Sequence, residues 1–248
     1  MQARTFSRLQ RALLKIYRLP SRMRGGQRYH WQVAWVKNQA WAAPHLEFLR
    51  RDADAVRGYK RILDRRFQLL QFIEAVRQLS GSTLECGVFR GVGSGLICQA
   101  LERTYAHGQR HFGFDSFEGL SEPLDADRMQ SGEQYWRLGQ LHTPLAATQE
   151  LLAKFPFCEL HQGWIPECFS PAADHQFRFV HIDVDLREPT LASLEFCYPR
   201  MVKGGVLVLD DHGFANCPGA RSAACDFFAD KPEQIIDLAT GQAFVMKA

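Results

Sequence analysis

The sequence predicts an α/β protein built on a doubly wound, mostly parallel seven-stranded sheet with an α-helical N-terminal extension. Three observations predict this fold. From residue 82 onward, short apolar runs alternate with windows of helical periodicity, as in strands joined by crossover helices. The runs are apolar almost throughout, which is typical of parallel strands covered on both faces. Over residues 31–79 the periodicity is helical alone.

The strands and helices of the predicted sheet follow one another in a regular order. A Thr-Gly turn divides the last apolar run, so we expect a closing hairpin that adds antiparallel strands at one edge. We expect helices near residues 94–106, 144–154, 189–199 and 218–229. The strand candidates are TLECGVF, RHFGFD, FCELHQG, FRFVHID, GGVLVLDD and the two halves of QIIDLATGQAFVMK.

Charge and periodicity divide the chain into three predicted regions: a basic arm (1–30), a helical region (31–80) and a ligand-binding domain (81–248). Residues 1–46 contain nine Lys/Arg and no Asp/Glu, whereas the remainder holds 21 basic and 27 acidic side chains. The basic residues of the arm recur at steps of three and four, which would form one stripe on a helix. Such a stripe could contact an anionic membrane or an acidic partner, or act as an organellar presequence; a solvated arm is an equal alternative.

The composition is that of an ordinary globular protein. The chain has 248 residues, of which 46% are hydrophobic and 23% charged. No apolar run approaches the roughly 18 residues of a membrane span, and the N-terminus lacks the apolar segment of a secretory signal. Since the seven cysteines form no CxxC pair, we interpret them as reduced thiols and expect a cytoplasmic location. We also expect a homo-oligomer.

The first predicted strand runs into a glycine-rich turn, ECGVFRGVGSG. In a doubly wound sheet, ligands bind outside the carboxyl ends of the strands, and glycine lets the backbone approach a ligand closely. The spacing is not the GxGxxG of dinucleotide-binding proteins. It reads E-x-G-x-x-x-G, with Glu85, Gly87 and Gly91, which resembles the first motif of class I S-adenosylmethionine-dependent methyltransferases.

The second predicted strand ends on Asp115 in HFGFDSFEGL. An acid at this position commonly accepts hydrogen bonds from the hydroxyls of a ribose, and one carboxylate can accept from both hydroxyls of a vicinal diol. A turn or helix cap is the alternative reading of the same residue.

Four aspartates follow the fourth and fifth predicted strands. Asp183 and Asp185 end the run FVHIDVD, and Asp210 and Asp211 end VLVLDD. If the two strands are neighbours, the carboxylates meet at one edge of the sheet and repel one another unless a cation lies between them. Oxygen-only ligands suit Mg²⁺ or Mn²⁺. His181 has no zinc-type spacing and is interpreted as a core residue or a neighbour of the ligands.

At this level of detail the chain resembles the macrocin O-methyltransferase family. The resemblance covers about residues 83–247, and its motifs occur in order: ECGVFRG, DSFEGL, HIDVDL, EPTLASLEFCYPRM, KGGVLVLDD, GARSA and CDFF. It implies a Rossmann-like class I methyltransferase that methylates a hydroxyl of a sugar, glycoside or phenolic natural product or of a glycan. The implied cofactors are S-adenosyl-L-methionine and Mg²⁺ (or Mn²⁺).

The resemblance also implies a role for individual residues. By position, the metal ligands would be Asp183, Asp210 and Asp211, and the general base would be Asp185. The cofactor-binding residues would be Glu85, Gly87, Gly91, Asp115, Ser116, Gln162, Gly163 and Trp164.

Two positions depart from the family pattern, and one loop is long. Where the family usually has tyrosine, this chain has Arg187 and His212, and both could line an acceptor pocket. The loop over 121–142 is polar and contains Tyr135 and Trp136. It is either a lid over the site or a variable surface loop.

Three other functions are compatible with parts of the pattern. The DVD stretch also fits the DxD signature of a metal-dependent nucleotide-sugar glycosyltransferase, although that leaves Asp210 and Asp211 unexplained. A catalytically silent module with the same fold is a second alternative. Nucleic-acid methylation is disfavoured, because the acidic residues lie in the same half of the chain as the predicted site.

Overall fold

The computed structural model describes residues 43–55, 62–102 and 108–248. The chain divides into two units, Met1–Pro44 and His45–Ala248, and every helix and strand named below lies in the second. The predicted basic arm lies outside the described residues, as does the start of the predicted helical region. None of the described helices combines the length and apolarity required to cross a membrane.

The second unit contains one seven-stranded sheet with the order β3-β2-β1-β4-β5-β7-β6. Strands β1 to β5 are parallel, and β7 pairs antiparallel with both β5 and β6. The predicted doubly wound, mostly parallel sheet is therefore confirmed. The strands are β1 Ser82–Cys86, β2 His111–Asp115, β3 Cys158–Gln162, β4 Phe177–Ile182, β5 Met201–Leu209, β6 Ile236–Asp237 and β7 Ala243–Met246.

The helices cover both faces of this sheet. Two of them begin beside a glycine or a proline: α3 begins one residue after Gly91, and α6 begins at Pro218. Proline is tolerated at the first position of a helix, where its fixed φ and missing N–H cost nothing. The helices are α1 Leu46–Ala55, α2 Ile62–Ala75, α3 Val92–Glu102, α4 Leu145–Leu152, α5 Arg187–Cys197 and α6 Pro218–Phe228.

The predicted closing hairpin is confirmed. Its two strands pair antiparallel and lie at one edge of the sheet, with β7 next to β5 and β6 outermost. The pairing has a simple physical reason: β7 is apolar and its residues Ala243 and Val245 are buried, whereas both residues of β6 are exposed. The more apolar strand takes the inner place.

The two faces of the sheet differ in character. On one face, apolar side chains of the central strands pack against α5 and α6 to form the main core, which includes Leu84, Ile182 and Leu207. Alternate residues of the same strands point to the other face, where Glu85 and His181 are cross-strand neighbours. This second face carries the polar residues that position the site.

Candidate active site

The carboxyl ends of β1, β2 and β4 open into one cavity of about 580 Å³. Strand order reverses between β1 and β4, and the crevice at such a switch point is where open α/β sheets bind ligands. Residues that line the cavity include Gly87, Asp115, Ser116, Gly163, Trp164, Asp183, Asp185, Leu191 and Glu195.

The glycine turn after β1 requires glycine for two different reasons. Gly87 has φ +84°, and a Cβ there would lie 1.9 Å from the carbonyl oxygen of Asp183. Its backbone therefore touches the end of β4 and also borders the cavity. Gly91 has φ +78° and would place a Cβ 2.9 Å from the side chain of Thr148. It lines neither described cavity, so it allows α3 and α4 to pack closely.

Glu85 lies beneath this turn and is only 1% exposed. One of its carboxylate oxygens accepts a hydrogen bond from Ser94 Oγ, and the other is 2.8 Å from Nδ1 of His181. Glu85 borders a smaller cavity of about 80 Å³, together with Arg66 and Asp183. The predicted cofactor acid thus touches the small recess and does not line the main cavity.

Asp115 holds the turn in place from β2. Its Oδ2 accepts hydrogen bonds from the backbone N–H groups of Val88 and Phe89, both at 2.8 Å, and its Oδ1 accepts one from Phe117 at 2.6 Å. Burial raises the pKa of Asp115, and the three backbone donors act in the opposite direction. Asp115 and Ser116 both line the main cavity, as a ribose-binding role requires.

The segment after β3 is only partly in the cavity. Gly163 and Trp164 line it, and the indole of Trp164 is 40% exposed. Gln162 does not line it; its Nε2 donates to the carbonyl oxygen of Ser116 at 3.3 Å. Gln162 therefore braces the two loops against each other.

A guanidinium nitrogen lies among the three predicted metal ligands. Nη2 of Arg65, from α2, contacts Oδ2 of Asp210 and lies 3.7 Å from Asp183 Oδ1 and 4.0 Å from Asp211 Oδ1. The carboxylate of Asp210 is fully buried. The positive charge that the crowded carboxylates require is supplied in this structure by an arginine.

The donor set nevertheless suits a hard divalent cation. Oδ2 of Asp210 is buried, and its partner among the described residues is the guanidinium of Arg65. The carboxylates of Asp183 and Asp210 lie with His181 in a group whose ligand atoms are within 4.8 Å of one another. Asp211 falls into a neighbouring group with Asp185 and Cys217. Carboxylate oxygens from two strand ends are the ligands that Mg²⁺ and Mn²⁺ prefer.

Asp185 lies between the acids and both cavities. It is buried and adopts the left-handed backbone conformation, with φ +59°, which Asp tolerates better than most residues. Its N–H donates to Asp211 Oδ2 at 2.9 Å, and Cys217 Sγ lies 3.5 Å from its Oδ1. Burial, then Asp211 and Asp183, raise the pKa of Asp185 well above its usual value.

Asp211 has a similar environment. Burial and the charge of Asp183 raise its pKa to about 7, while Arg65 acts in the opposite direction. Two adjacent carboxyl groups with raised pKa values are typical of sites that bind a cation or transfer a proton.

A buried hydrogen-bond network joins the glycine turn to the acids. His181 lies 2.8 Å from Glu85 through Nδ1 and 3.1 Å from Asp210 Oδ1 through Nε2. Gln242 donates to the same Asp210 oxygen at 2.6 Å. On the far side of Glu85, Ser94 Oγ is 2.9 Å from Nε2 of His111. His181 is therefore the link between the predicted cofactor strand and the predicted metal strand.

Sequence reasoning missed Arg65 and the connecting role of His181. The signal for His181 was present: polar residues alternate with apolar ones, at Thr83 and Glu85 in β1, and at His181 in β4 and Asp183 just after it. Such alternation places them on one face. Arg65 had no local signal, because its partners are more than 100 residues away in the chain.

The two departures from the family pattern lie outside both described cavities. Arg187 turns toward α6, where its guanidinium contacts Ser222 Oγ and lies 2.7 Å from Asp226 Oδ2. His212 is buried, with Nε2 3.4 Å from Asp237. Contact of either residue with an acceptor stays a prediction.

The long loop over 121–142 borders the site and is attached near both ends, at Asp127 and through the backbone hydrogen bonds of Leu120 with Gly139 and Gln140. Leu141 lines both cavities. The buried carboxylate of Asp127 accepts from the backbone N–H of Leu124 at 2.9 Å and from that of Arg187, the first residue of α5, at 2.8 Å. The loop is thus anchored to the helix that follows the predicted base.

Solved structures that share this doubly wound fold include O-methyltransferases, so the chain has the fold of the Rossmann-like class I methyltransferases. The structure of the O-methyltransferase NovP superimposes with a TM-score of 0.65 at 21% identity and covers 75% of this chain and 80% of its own. CalS11, a calicheamicin methyltransferase, gives a TM-score of 0.66 at 21% identity, over 76% of this chain and 80% of its own. At this identity the likeness is one of fold alone.

The chain belongs to the macrocin-O-methyltransferase (TylF) family, whose model matches residues 35–237. The tetracenomycin-type rhamnosyl 4'-O-methyltransferase of Streptomyces olivaceus is 30% identical over 59% of this chain and 58% of its own length. Mycinamicin III 3''-O-methyltransferase of Micromonospora griseorubida is 27% identical, over 55% and 57%. The chain thus matches somewhat more than half the length of these two relatives. Demethyldecarbamoylnovobiocin O-methyltransferase of Streptomyces niveus is 25% identical, over 72% and 69%.

Proposed function

We propose that this protein transfers a methyl group from S-adenosylmethionine to a hydroxyl of a sugar, glycoside or phenolic natural product or of a glycan, with the help of Mg²⁺ or Mn²⁺. The observation that carries this proposal is the position of Asp185. A buried carboxylate with a raised pKa borders the cavity at the glycine turn and also adjoins a cluster of three aspartates. Donor, base and acceptor-binding acids would then meet within one crevice.

The donor would lie in the main cavity, against the glycine turn. Gly87 leaves room for the cofactor to approach the backbone, Asp115 and Ser116 would face its ribose, and Trp164 would flank the adenine. Glu85 would act from below, by holding Ser94 and His181. Gly91 and Gln162 would act through packing and bracing, since neither lines a described cavity.

The acceptor hydroxyl would bind beside the aspartates. Asp183, Asp210 and Asp211 would hold a divalent cation, which when bound supplies a Lewis acid and an attachment point for acceptor oxygens. Asp185 would accept the proton of the hydroxyl as the oxygen attacks the sulfonium methyl. The buried surroundings of Asp185 exclude water from the reacting atoms.

The acceptor class is supported by the relatives, whose names describe methylation of rhamnosyl, mycinamicin and novobiocin-type compounds. We also propose a cytoplasmic location, in keeping with seven free thiols. Contact of the basic arm with a membrane surface and homo-oligomer formation stay predictions.

The decisive experiment combines ligand binding with a methylation assay. We expect S-adenosylmethionine to raise the melting temperature, UDP-sugars to have no effect, and methylation of a rhamnoside or phenol panel to stop in excess EDTA and return with Mg²⁺. Stabilisation by UDP-sugars alone would favour the glycosyltransferase. Cofactor binding without turnover on any acceptor would favour a silent module, and full activity in EDTA would remove the metal from the mechanism.

A further inference from the structure

Arg65 is held in the acid cluster from two sides. Its side chain is 16% exposed, and its guanidinium carbon lies 4.9 Å from the centre of the Phe214 ring, within the range of a cation–π contact. On its other side Nη2 contacts Asp210 and lies within 4.0 Å of Asp183 and Asp211. No other described arginine or lysine reaches all three carboxylates.

A positive partner stabilises these buried acids. Asp210 is fully buried, and an isolated buried carboxylate is costly unless a positive partner compensates it. Arg66 lies near Asp183 alone among the three, with Nη1 at 3.9 Å. Arg65 is therefore the described cation that is placed to balance all three acids.

A divalent cation would need the same position. Mg²⁺ binds carboxylate oxygens at about 2.0–2.1 Å. Nη2 of Arg65 contacts Asp210 and lies within 4.0 Å of Asp183 and Asp211, so a cation held by these acids would take the place of the guanidinium. The guanidinium and the metal cannot be there together, because both space and charge forbid it.

We infer that Arg65 is the internal counter-ion of the metal-free protein and competes directly with the divalent cation for the acid cluster. Cation binding then expels the guanidinium and frees the first turns of α2 from the site. The C-terminal half of α2 stays docked, because Leu69 and Ile73 are buried and Phe72 packs on Phe244 with ring centroids 4.6 Å apart. This inference rests on the metal-binding part of the proposed function.

The first test measures Mn²⁺ binding directly, by electron paramagnetic resonance on the full chain without cofactor or acceptor. If Arg65 fills the position in about nine of ten molecules, its removal strengthens apparent Mn²⁺ affinity about tenfold. We expect this gain for Arg65→Gln. Arg66→Gln is the matched control: it removes the same charge one residue away, from a group that reaches only Asp183 among the three, and should give a much smaller gain.

Two results of this titration would overturn the inference. Equal Mn²⁺ affinity of Arg65→Gln and wild type rejects competition and leaves the metal site intact. Equal gains for both variants reject it as well, since general electrostatics would then explain the effect. Absence of Mn²⁺ binding in every protein overturns the inference together with the metal part of the proposed function, whereas cofactor binding would be untouched.

The second test needs no variant and so does not depend on folding of Arg65→Gln. Hydrogen exchange of the wild-type protein is compared with and without Mn²⁺. We expect Mn²⁺ to speed exchange over residues 62–68 and to leave residues 70–75 unchanged. Unchanged or slower exchange over 62–68 in Mn²⁺-loaded protein contradicts displacement of Arg65.

Discussion

The site has a donor side, formed by the turn after β1 and Asp115, and an acid side, formed by Asp183, Asp210 and Asp211. The two sides are built in opposite ways. On the donor side, the turn after β1 is fixed by neutral backbone groups, and the carboxylate of Asp115 accepts three backbone hydrogen bonds. On the acid side, Asp183, Asp210 and Asp211 crowd around one guanidinium. The donor side is complete within the protein, whereas the acid side holds more negative charge than its own partners balance.

This difference indicates which side is preorganised and which depends on an added ion. Preorganised hydrogen bonds require no change when the donor binds. The acid side depends on the cation that occupies it, and His181 connects it to the donor side through Glu85. Separate changes on the two sides should therefore have separable effects on binding and turnover.

The largest expected effect is on turnover, from Asp185→Asn. Loss of a general base costs about 10²–10⁴ in rate, while asparagine retains the shape and tolerates the left-handed backbone of this position. We expect kcat to fall by roughly that factor and the affinities for S-adenosylhomocysteine and Mn²⁺ to be retained. Asp125→Asn, at an exposed residue of the long loop, is the control. Undiminished kcat would remove Asp185 from the mechanism.

The next largest effect is on the free energy of unfolding. It tests the contact between the turn after β1 and the end of β4. Gly87 and Gly132 both have φ +84°, but a Cβ at Gly132 meets nothing within 4 Å. Gly132→Ala should cost about 1–2 kcal/mol for the left-handed backbone alone. Gly87→Ala should cost roughly 3 kcal/mol more, because its Cβ overlaps the backbone of Asp183. Urea unfolding measures the loss of unfolding free energy in both variants. Equal losses would show that the end of β4 shifts to accommodate the new Cβ at no cost.

A smaller effect concerns the far end of the polar network on the donor side. Burial lowers the pKa of His111 to about 4, so between pH 6.5 and pH 4 the unfolded chain binds a proton that the folded protein does not. The unfolding free energy should therefore decrease as the pH is lowered from 6.5 to 4, and His111 should account for about 3 kcal/mol of the decrease. His111→Gln should flatten the curve of unfolding free energy against pH, whereas His175→Gln, at a half-buried histidine outside the network, should not. Parallel curves for all three proteins would contradict the assignment.

The smallest effect distinguishes the two hydrogen bonds of His181, to Glu85 through Nδ1 and to Asp210 through Nε2. Asparagine places a donor near the Nδ1 position and glutamine places one near the Nε2 position, so each variant retains one of the two hydrogen bonds. Loss of the hydrogen bond to a metal ligand typically weakens metal binding by about 10–100-fold. We expect His181→Asn to lose that factor in Mn²⁺ affinity and His181→Gln to lose affinity for S-adenosylhomocysteine instead. If both variants lose both affinities equally, His181 is a packing residue only.

The fold and most site positions were predictable because their signals are local. Apolar runs and the glycine turn identified the sheet and the place of the cavity, and Asp183 and Asp210 fall at neighbouring strand ends because β4 and β5 pair. Glu85 and Gln162 lie outside the main cavity, which the sequence did not indicate, because sequence position does not reveal which way a side chain turns. Arg65 was unpredictable, because it reaches the acids only through the packing of α2 against the finished sheet.

The anchoring of the long loop has a practical consequence for enzyme engineering. Asp127 fixes the loop to the first turn of α5, and its Oδ1 lies so close to α6 that a Cβ on Gly219 would be 1.8 Å from it. Backbone hydrogen bonds of Leu120 with Gly139 and Gln140 hold the other end of the loop. Residues 128–142 can therefore be diversified with Gly132 and Gly139 kept, because both ends stay attached. A library of that kind would change which molecules reach Asp185 without rebuilding the crevice itself.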